Sequence, residues 1–431
     1  MTIAGVIPYR QVPLRRFIVD ITDGPFGSSL TSSHYSDEGA RVIRLGNIGA
    51  AQFKDSDAAY ISLEYFNELR RHEVLPGDLI IAGLGDGNHP VGRACVAPNN
   101  LGPAIVKADC FRVRLDEERL THIYAAWALS SSFVSDQVSS LTRGSTRARI
   151  NLEVAREIKL PIPPVEEQHG IAEFLDGETA RIDDLVERKR RMRDLLALRR
   201  ERLIEEVLGL TQQRGDLAPL NYLVQEITVG IVITPAKWYV DHGGVTALRG
   251  VNVRPGKVVL DDVVQISAKG HAEHHKSTLH AGDVVVVRTG QAGAAAVVPQ
   301  GLNGSNCIDL ILIRPGEGIF ARYLEYVLNS EYARRHVAEY SVGSIQAHFN
   351  VGAMKKLPIP RIPVEEQRRL AAELERRVGS IESLMTKIDD QLGILAERRQ
   401  ALIAAAVTGQ IDVAAFGRAS AGRHAPRPFS S

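Results

Sequence analysis

Long apolar runs are missing from this chain of 431 residues. No stretch approaches the ~18 apolar residues of a membrane span, and the first sixteen residues, with Pro8, Arg10 and Pro13, hold no apolar core of signal-peptide length. We therefore expect a cytoplasmic protein without membrane contact. Cysteine is scarce: Cys95, Cys110 and Cys307 are odd in number and form no C-x-x-C pair, which excludes a disulfide framework or a structural zinc site and leaves buried free thiols. A charge excess is also absent, because 52 Lys and Arg face 51 Asp and Glu for a net charge of +1. No global basic field marks a nucleic-acid binder, although a basic face balanced by acid elsewhere is compatible with one. The cluster His271, His274, His275 and His280 lacks neighbouring cysteines and the H-E-x-x-H arrangement, so no metal is expected. What is present, 44% hydrophobic and 24% charged residues, is the composition of a globular protein with room for two or three domains.

The chain repeats itself. Leu160-Pro161-Ile162-Pro163 returns as Leu357-Pro358-Ile359-Pro360, and Pro164-Val165-Glu166-Glu167-Gln168 returns as Pro363-Val364-Glu365-Glu366-Gln367. Gly144-Ser145 leading to Asn151 matches Gly343-Ser344 leading to Asn350, and Pro76-Gly77-Asp78 before an apolar strand matches Ala281-Gly282-Asp283. Offsets of 197 to 205 residues mean a duplicated domain, since solenoid units run about 20 to 50 residues.

Within each half the pattern changes at the Leu-Pro-Ile-Pro element. Before it lie short strand-like runs at 78–82, 258–260, 284–287 and 308–314, broken by glycine and asparagine turns. The runs 124–129 and 323–328 read as helical, with Trp127 in a core. After the element come stretches nearly free of Gly and Pro, about 165–208 and 364–407, each opening with a Glu pair on its first turn. Apolar residues recur there in alternating steps of three and four: Ile171, Leu175, Ile182, Leu185, Met192, Leu196 and Leu203. A shift of 199 carries six of the seven onto Leu370, Leu374, Ile381, Leu384, Leu395 and Leu402, with Met192 meeting Gln391 beside Leu392. Rods of about 60 Å are too long to be buried on all sides, so each helix is expected to bury its stripe on the other. Identical helices alternating with identical globular units pair antiparallel, giving pseudo-twofold symmetry.

No catalytic constellation stands out. Gly83-Leu84-Gly85-Asp86-Gly87 misses the G-x-G-x-x-G spacing and reads as a strand-connecting loop, no Walker A sequence occurs, and no Ser-His-Asp elbow is present. Also lacking is an Asn or Asp followed by Pro-Pro and an aromatic residue, with which amino methyltransferases orient a target nitrogen. Polar loops remain, clearest at Arg143-Gly144-Ser145-Thr146-Arg147-Ala148-Arg149, which holds three cations and no acid. Its counterpart Gly343-Ser344-Ile345-Gln346-Ala347-His348 keeps the Gly-Ser start but loses the arginines, as two modules reading different sequences need and as unselected drift also produces.

These residues resemble a known family, the DNA specificity subunits of Type I restriction-modification systems. The resemblance covers residues 13 to 410 and rests on Asp23-Gly24-Pro25-Phe26-Gly27-Ser28-Ser29, Arg44-Leu45-Gly46-Asn47-Ile48, the Pro-Gly-Asp strand, Gly-Ser-Thr-Arg and both Pro-x-x-Glu-Gln helix starts. The second half departs from it, with Val229-Gly230-Ile231-Val232 in place of Gly-Pro-Phe-Gly and a shifted Arg249-Gly250-Val251-Asn252. The resemblance implies an α+β chain with two mixed α/β target recognition domains, spaced by two long antiparallel coiled-coil helices. Boundaries follow at 1–160 and 211–360 for these domains, 161–210 and 361–410 for the spacer helices, and 411–431 for a disordered tail.

By the same resemblance each domain reads one half of a bipartite asymmetric site on double-stranded DNA, and the helices act as a ruler. Two methyltransferase subunits dock on the helices, and restriction or translocase subunits complete the complex. This chain is non-catalytic and binds no cofactor, S-adenosylmethionine and ATP with Mg2+ belonging to the partners. Expected DNA-binding residues are Arg44, Asn47, Arg93, Arg143, Ser145, Thr146, Arg147 and Arg149 in the first domain. In the second they are Arg249, Asn252, Arg288, Thr289, Gln291, Ser344, Gln346 and His348. The alternative is a coiled-coil scaffold whose globular ends bind proteins; few exposed aromatics and the Gly-Ser-Thr-Arg loop argue against it. A nuclease would need clustered carboxylates with a lysine, which do not repeat.

Overall fold

The structure, a computed structural model, describes residues 8–85, 89–141, 148–210, 216–289, 292–339 and 351–413. The expected tail from 414 onward lies outside them. The chain forms two compact units, one comprising Met1–Arg188 with Asp390–Ser431 and the other Lys189–Asp389. The division runs through both long helices because each unit takes half of each helix into its own core. Ile171, Leu175, Ile403 and Val407 join the first core, and Leu203, Leu208, Leu374 and Val378 the second.

Each unit repeats one topology. In the first, an antiparallel sheet is ordered Ile18–Asp23, Cys110–Leu115, Leu79–Ala82, Ala94–Val96. In the second, Val224–Val229, Leu310–Pro315, Val284–Val287 and Ala295–Val297 take the same places, and the first strand of both sheets carries the same bulge. The strands Leu79–Ala82 and Val284–Val287 are buried throughout, which explains their unbroken apolar runs. Alternate residues serve opposite faces: Leu79 and Ile81 pack toward the helices, while Ile80 and Ala82 meet Cys95 and Cys110 in a second cluster. A smaller sheet accompanies each large one, with Ala40–Ile43 parallel to Ala104–Val106 and Val245–Leu248 parallel to Asn306–Cys307.

The proline-rich element is a strand in both halves. Lys159–Ile162 pairs antiparallel with Arg10–Pro13, and Pro358–Pro360 with Leu217–Pro219. Two-stranded ribbons have free edges, where a missing N–H costs no ladder bond. The run expected at 258–260 is shorter, Lys257–Val258, because the chain beyond it wraps around Asn252, to which the Val259 N–H returns at 2.8 Å. The last strand begins at Leu310 rather than 308, since Asp309 adopts φ +50°.

The two long helices are Val165–Leu208 and Val364–Val407, 44 residues each and about 66 Å long. Their pairing is antiparallel within each unit. Arg399 donates to Asp183 at 3.0 Å in the first, while Arg193 meets Asp389 at 2.6 Å and Arg200 meets Glu382 at 2.9 Å in the second. Ile171, Leu175, Ile182, Leu203 and Leu374 are buried and Leu196, Leu370, Ile381, Leu395 and Leu402 half-buried. Leu185, Met192 and Leu384 depart from the expected seam, being 42%, 49% and 46% exposed. A regular three-four step assumes one uniform interface, but each helix leaves one core for the other near its middle and is least covered there. Ile388 and Ile403 are buried instead. Among the described residues no helix is long and apolar enough to cross a membrane.

Candidate nucleic-acid interface

At one end of each large sheet the chain turns repeatedly. In the first unit Asp23 ends a strand, Ala82 ends another, and Asp109 precedes Cys110–Leu115. The segment before Ile150 returns to this end, since Leu84 and Arg149 form a bridge and the Ile150 N–H donates to the Gly83 carbonyl at 2.8 Å. A cavity of about 350 Å³ opens there, lined among others by Asp23, Phe26, Asp109, Phe111, Arg149 and Asn151. In the second unit Gly230, Asp309 and Arg288 occupy the corresponding turns, with Ile231 bridged to Ile308. Thr289 follows Arg288 and is exposed.

The predicted residues divide into two groups. Arg149 is exposed; its Nε and Nη2 donate to Asp109 Oδ1 at 2.8 and 2.7 Å, and its guanidinium lies 5.9 Å from the Phe26 ring centre. Arg288 donates to Asp309 at 2.6 Å. Arg44 holds both the carbonyl and the carboxylate of Asp57, at 2.7 and 2.5 Å, and Arg249 does the same to Asp262 at 2.6 and 2.9 Å. Arg149 and Arg288 stand at these turns, whereas Arg44 and Arg249 follow Ala40–Ile43 and Val245–Leu248 of the smaller sheets. Arg143, Ser145, Thr146, Arg147, Gln291, Ser344, Gln346 and His348 lie outside the described residues.

Asn47, Asn252 and Arg93 play a different part from the one expected of them. The two asparagines are fully buried: each Oδ1 accepts the N–H three residues earlier, of Arg44 or Arg249, at 2.9 Å. Their Nδ2 groups donate to Lys54 and Ser56 carbonyls in one unit and to Val259 and Asp261 carbonyls in the other. Arg93 is buried and donates to the carbonyls of Leu45, Ile48, Leu84 and Pro90. Their polar atoms satisfy backbone groups that would otherwise be stranded, so they shape the loops from within.

Other residues of these loops carry no mark of their role in the sequence. Asp57, Asp109, Asp262 and Asp309 all have positive φ, between +50° and +65°, and each receives an arginine. The glutamine of each Pro-x-x-Glu-Gln motif, which the sequence marks only as part of a helix start, is buried. Gln168 accepts the Thr121 N–H at 2.9 Å and donates to the Arg119 and Pro163 carbonyls at 3.0 Å. Gln367 repeats this with the Phe320 N–H and the Gly318 and Ile362 carbonyls. Their recurrence in the repeat was the available signal. Asp78 of the Pro-Gly-Asp turn caps the Leu75 N–H and takes a bidentate pair from Arg114, so that motif is also structural.

Burial pushes the Cys95 and Cys307 thiols up to about 12 and raises Cys110 as well, leaving all three unreactive. Of the histidines, His271 contacts Asn306, His274 meets the edge of Trp238, and His280 lies 3.6 Å from Asp283. Trp127 is a core residue as expected, buried and donating to Asp176 at 3.0 Å.

Comparison with known proteins agrees with this architecture. Residues 44–191 match the Type I restriction modification DNA specificity domain. The chain is 22% identical over 434 residues to the Type I restriction enzyme EcoBI specificity subunit of Escherichia coli, covering 95% of this chain and 88% of the relative. It is 23% identical over 399 residues to the EcoKI specificity subunit of Escherichia coli K12, covering 88% and 84%. Among solved structures, a chain from work described as the structural basis underlying complex assembly and conformational transition of the type I R-M system aligns at a TM-score of 0.66 and 18% identity, covering 94% of this chain and 99% of that one. The HsdS subunit from Thermoanaerobacter tengcongensis aligns at 0.51 and 18% identity, covering 95% and 99%. Residues 44–191 thus carry a Type I restriction modification DNA specificity domain, and over most of its length the chain, with its duplicated α+β units and two long helices, is similar to Type I restriction enzyme specificity subunits.

Proposed function

We propose that this protein is the sequence-reading, non-catalytic component of a Type I restriction-modification complex, each unit reading one half of a bipartite DNA site. The observation that carries this is the duplicated sheet end, where each unit sets an arginine on a turn aspartate, Arg149 on Asp109 and Arg288 on Asp309. Arginine forks match guanine O6 and N7 or phosphate oxygens, and a good bidentate base contact discriminates by about 1–3 kcal/mol. Arg149, Arg288, Thr289, Arg44 and Arg249 are the described candidates. Arg143, Ser145, Thr146, Arg147, Gln291, Ser344, Gln346 and His348 remain candidates from sequence. Two methyltransferase subunits dock on the long helices in this reading. Exposed apolar positions recurring at 199 residues, Leu185 with Leu384 and Leu195 with Ile394, support two equivalent docking points.

Genome-wide mapping of N6-methyladenine in the host, with and without the gene, tests the proposal. Loss of one bipartite motif on deletion is expected, and an unchanged map with no DNA binding by the assembled complex refutes it. Inserting four residues at matching levels of both long helices adds about 6 Å, close to two base pairs. The gap is expected to grow while both half-site sequences stay the same.

A further inference from the structure

We propose that Asp109 and Asp309 are specificity-determining residues, each fixing the guanidinium of one base-reading arginine, Arg149 or Arg288; this rests on the DNA-recognition reading above. The two aspartates sit 200 residues apart at the same place, the turn entering Cys110–Leu115 and the turn entering Leu310–Pro315. Both have positive φ, +65° and +50°, where Asp and Asn are the side chains best tolerated after glycine.

The acid is constant between the units, but the cation is not. Arg149 arrives from the segment before Ile150, whereas Arg288 directly follows the strand Val284–Val287. Where the second unit has Arg288 the first has Gly83, and a Cβ there would lie 2.5 Å from Phe111 Cζ and 3.0 Å from the Asp109 carbonyl oxygen. The first unit thus closes the position used by the second and supplies its arginine from elsewhere. An inherited structural ion pair would keep both members in place. A device that presents a cation at a position suited to a different half-site keeps the anchor and moves the arginine.

The geometry suits that task. A single oxygen of Asp109 engages Arg149 through Nε and Nη2, leaving the Nη1 side of the fork to face a ligand, while Asp309 engages Arg288 through Nη1. A guanidinium held in this way loses less freedom on meeting a base and is fixed in register, so it distinguishes guanine from its alternatives instead of sliding to a phosphate.

The test uses the complete complex in a host deleted for this gene and complemented with Asp109→Asn or Asp309→Asn. Asparagine keeps the backbone conformation and removes the charge. The readouts are the N6-methyladenine motif base by base and the Kd of the purified complex for the motif and its single-base variants. Each variant is expected to relax one base position, in one half-site only, by about tenfold. Arg149→Lys relaxes the same position as Asp109→Asn, and the double variant adds nothing to Arg149→Lys alone. A wild-type motif that both asparagine variants leave unaltered overturns the inference. So does loss of an entire half-site together with a lowered melting temperature. Absence of any wild-type motif overturns the DNA-recognition reading as well.

Discussion

Replacing Gln168 by methionine keeps the side-chain volume and removes its hydrogen bonding. The wild-type amide is fully buried and closes three bonds, leaving the Thr121 N–H and the Arg119 and Pro163 carbonyls without partners when it goes. At about 1 kcal/mol net for each bond, the loss is about 3 kcal/mol. In a unit of some 200 residues this lowers the melting temperature by about 6–12 °C. Calorimetry of the full chain measures it, with Gln367→Met as the companion. The two glutamines lie in different compact units and share no partner, so the double variant should cost the sum within about 0.5 kcal/mol. Gln168→Glu sharpens the test. It retains an acceptor for Thr121 but turns a carboxylate toward two carbonyls, which raises its pKa in the folded state. Stability of that variant therefore rises as pH falls through the raised value, opposite to a salt-bridged acid. A Gln168→Met cost below about 1 kcal/mol would show that the joint between helix and sheet unit does not depend on this amide.

Burial holds the His122 pKa below its ordinary value, and its Nε2 accepts the Leu115 N–H at 2.8 Å, which only the neutral ring can do. Its contribution to stability is complete above about pH 6.5 and declines as pH falls through the lowered value. His72 shifts in the same direction, so His122→Gln should remove part, not all, of the acid-side loss in melting temperature between pH 7 and 5. All three cysteines are buried with raised thiol pKa values, so a thiol reagent at pH 8 should label none of them in the native chain and all three after unfolding. Leu195→Glu with Ile394→Glu alters exposed positions and should leave melting within about 0.5 kcal/mol of wild type while abolishing co-purification of methyltransferase subunits.

Much of the architecture was legible because it is written in periodicity and repetition. Stretches nearly free of Gly and Pro marked the extent of the long helices, the three-four apolar step assigned each a face, and the offset of 199 made them equivalent. Unbroken apolar runs marked Leu79–Ala82 and Val284–Val287 as strands buried on both faces. The seam was less legible at Leu185 and Leu384, since periodicity assigns a face to a residue without saying what covers it.

The surroundings of polar residues are not encoded locally. Asn47 and Arg93 have the chemistry of base readers, but sequence cannot tell an amide or guanidinium facing solvent from one enclosed by backbone carbonyls. Asp109 and Gln168 carry no local signature of their roles, because those depend on Arg149 forty residues away and on Thr121 forty-seven residues away. Duplication, helix length and strand identity follow from the residue order alone, each set by local propensity and the spacing of apolar groups. Which polar groups are enclosed and which arginine meets which aspartate depend on the folded chain, since hydrogen bonds and ion pairs are directional and short-ranged and form only once distant segments meet.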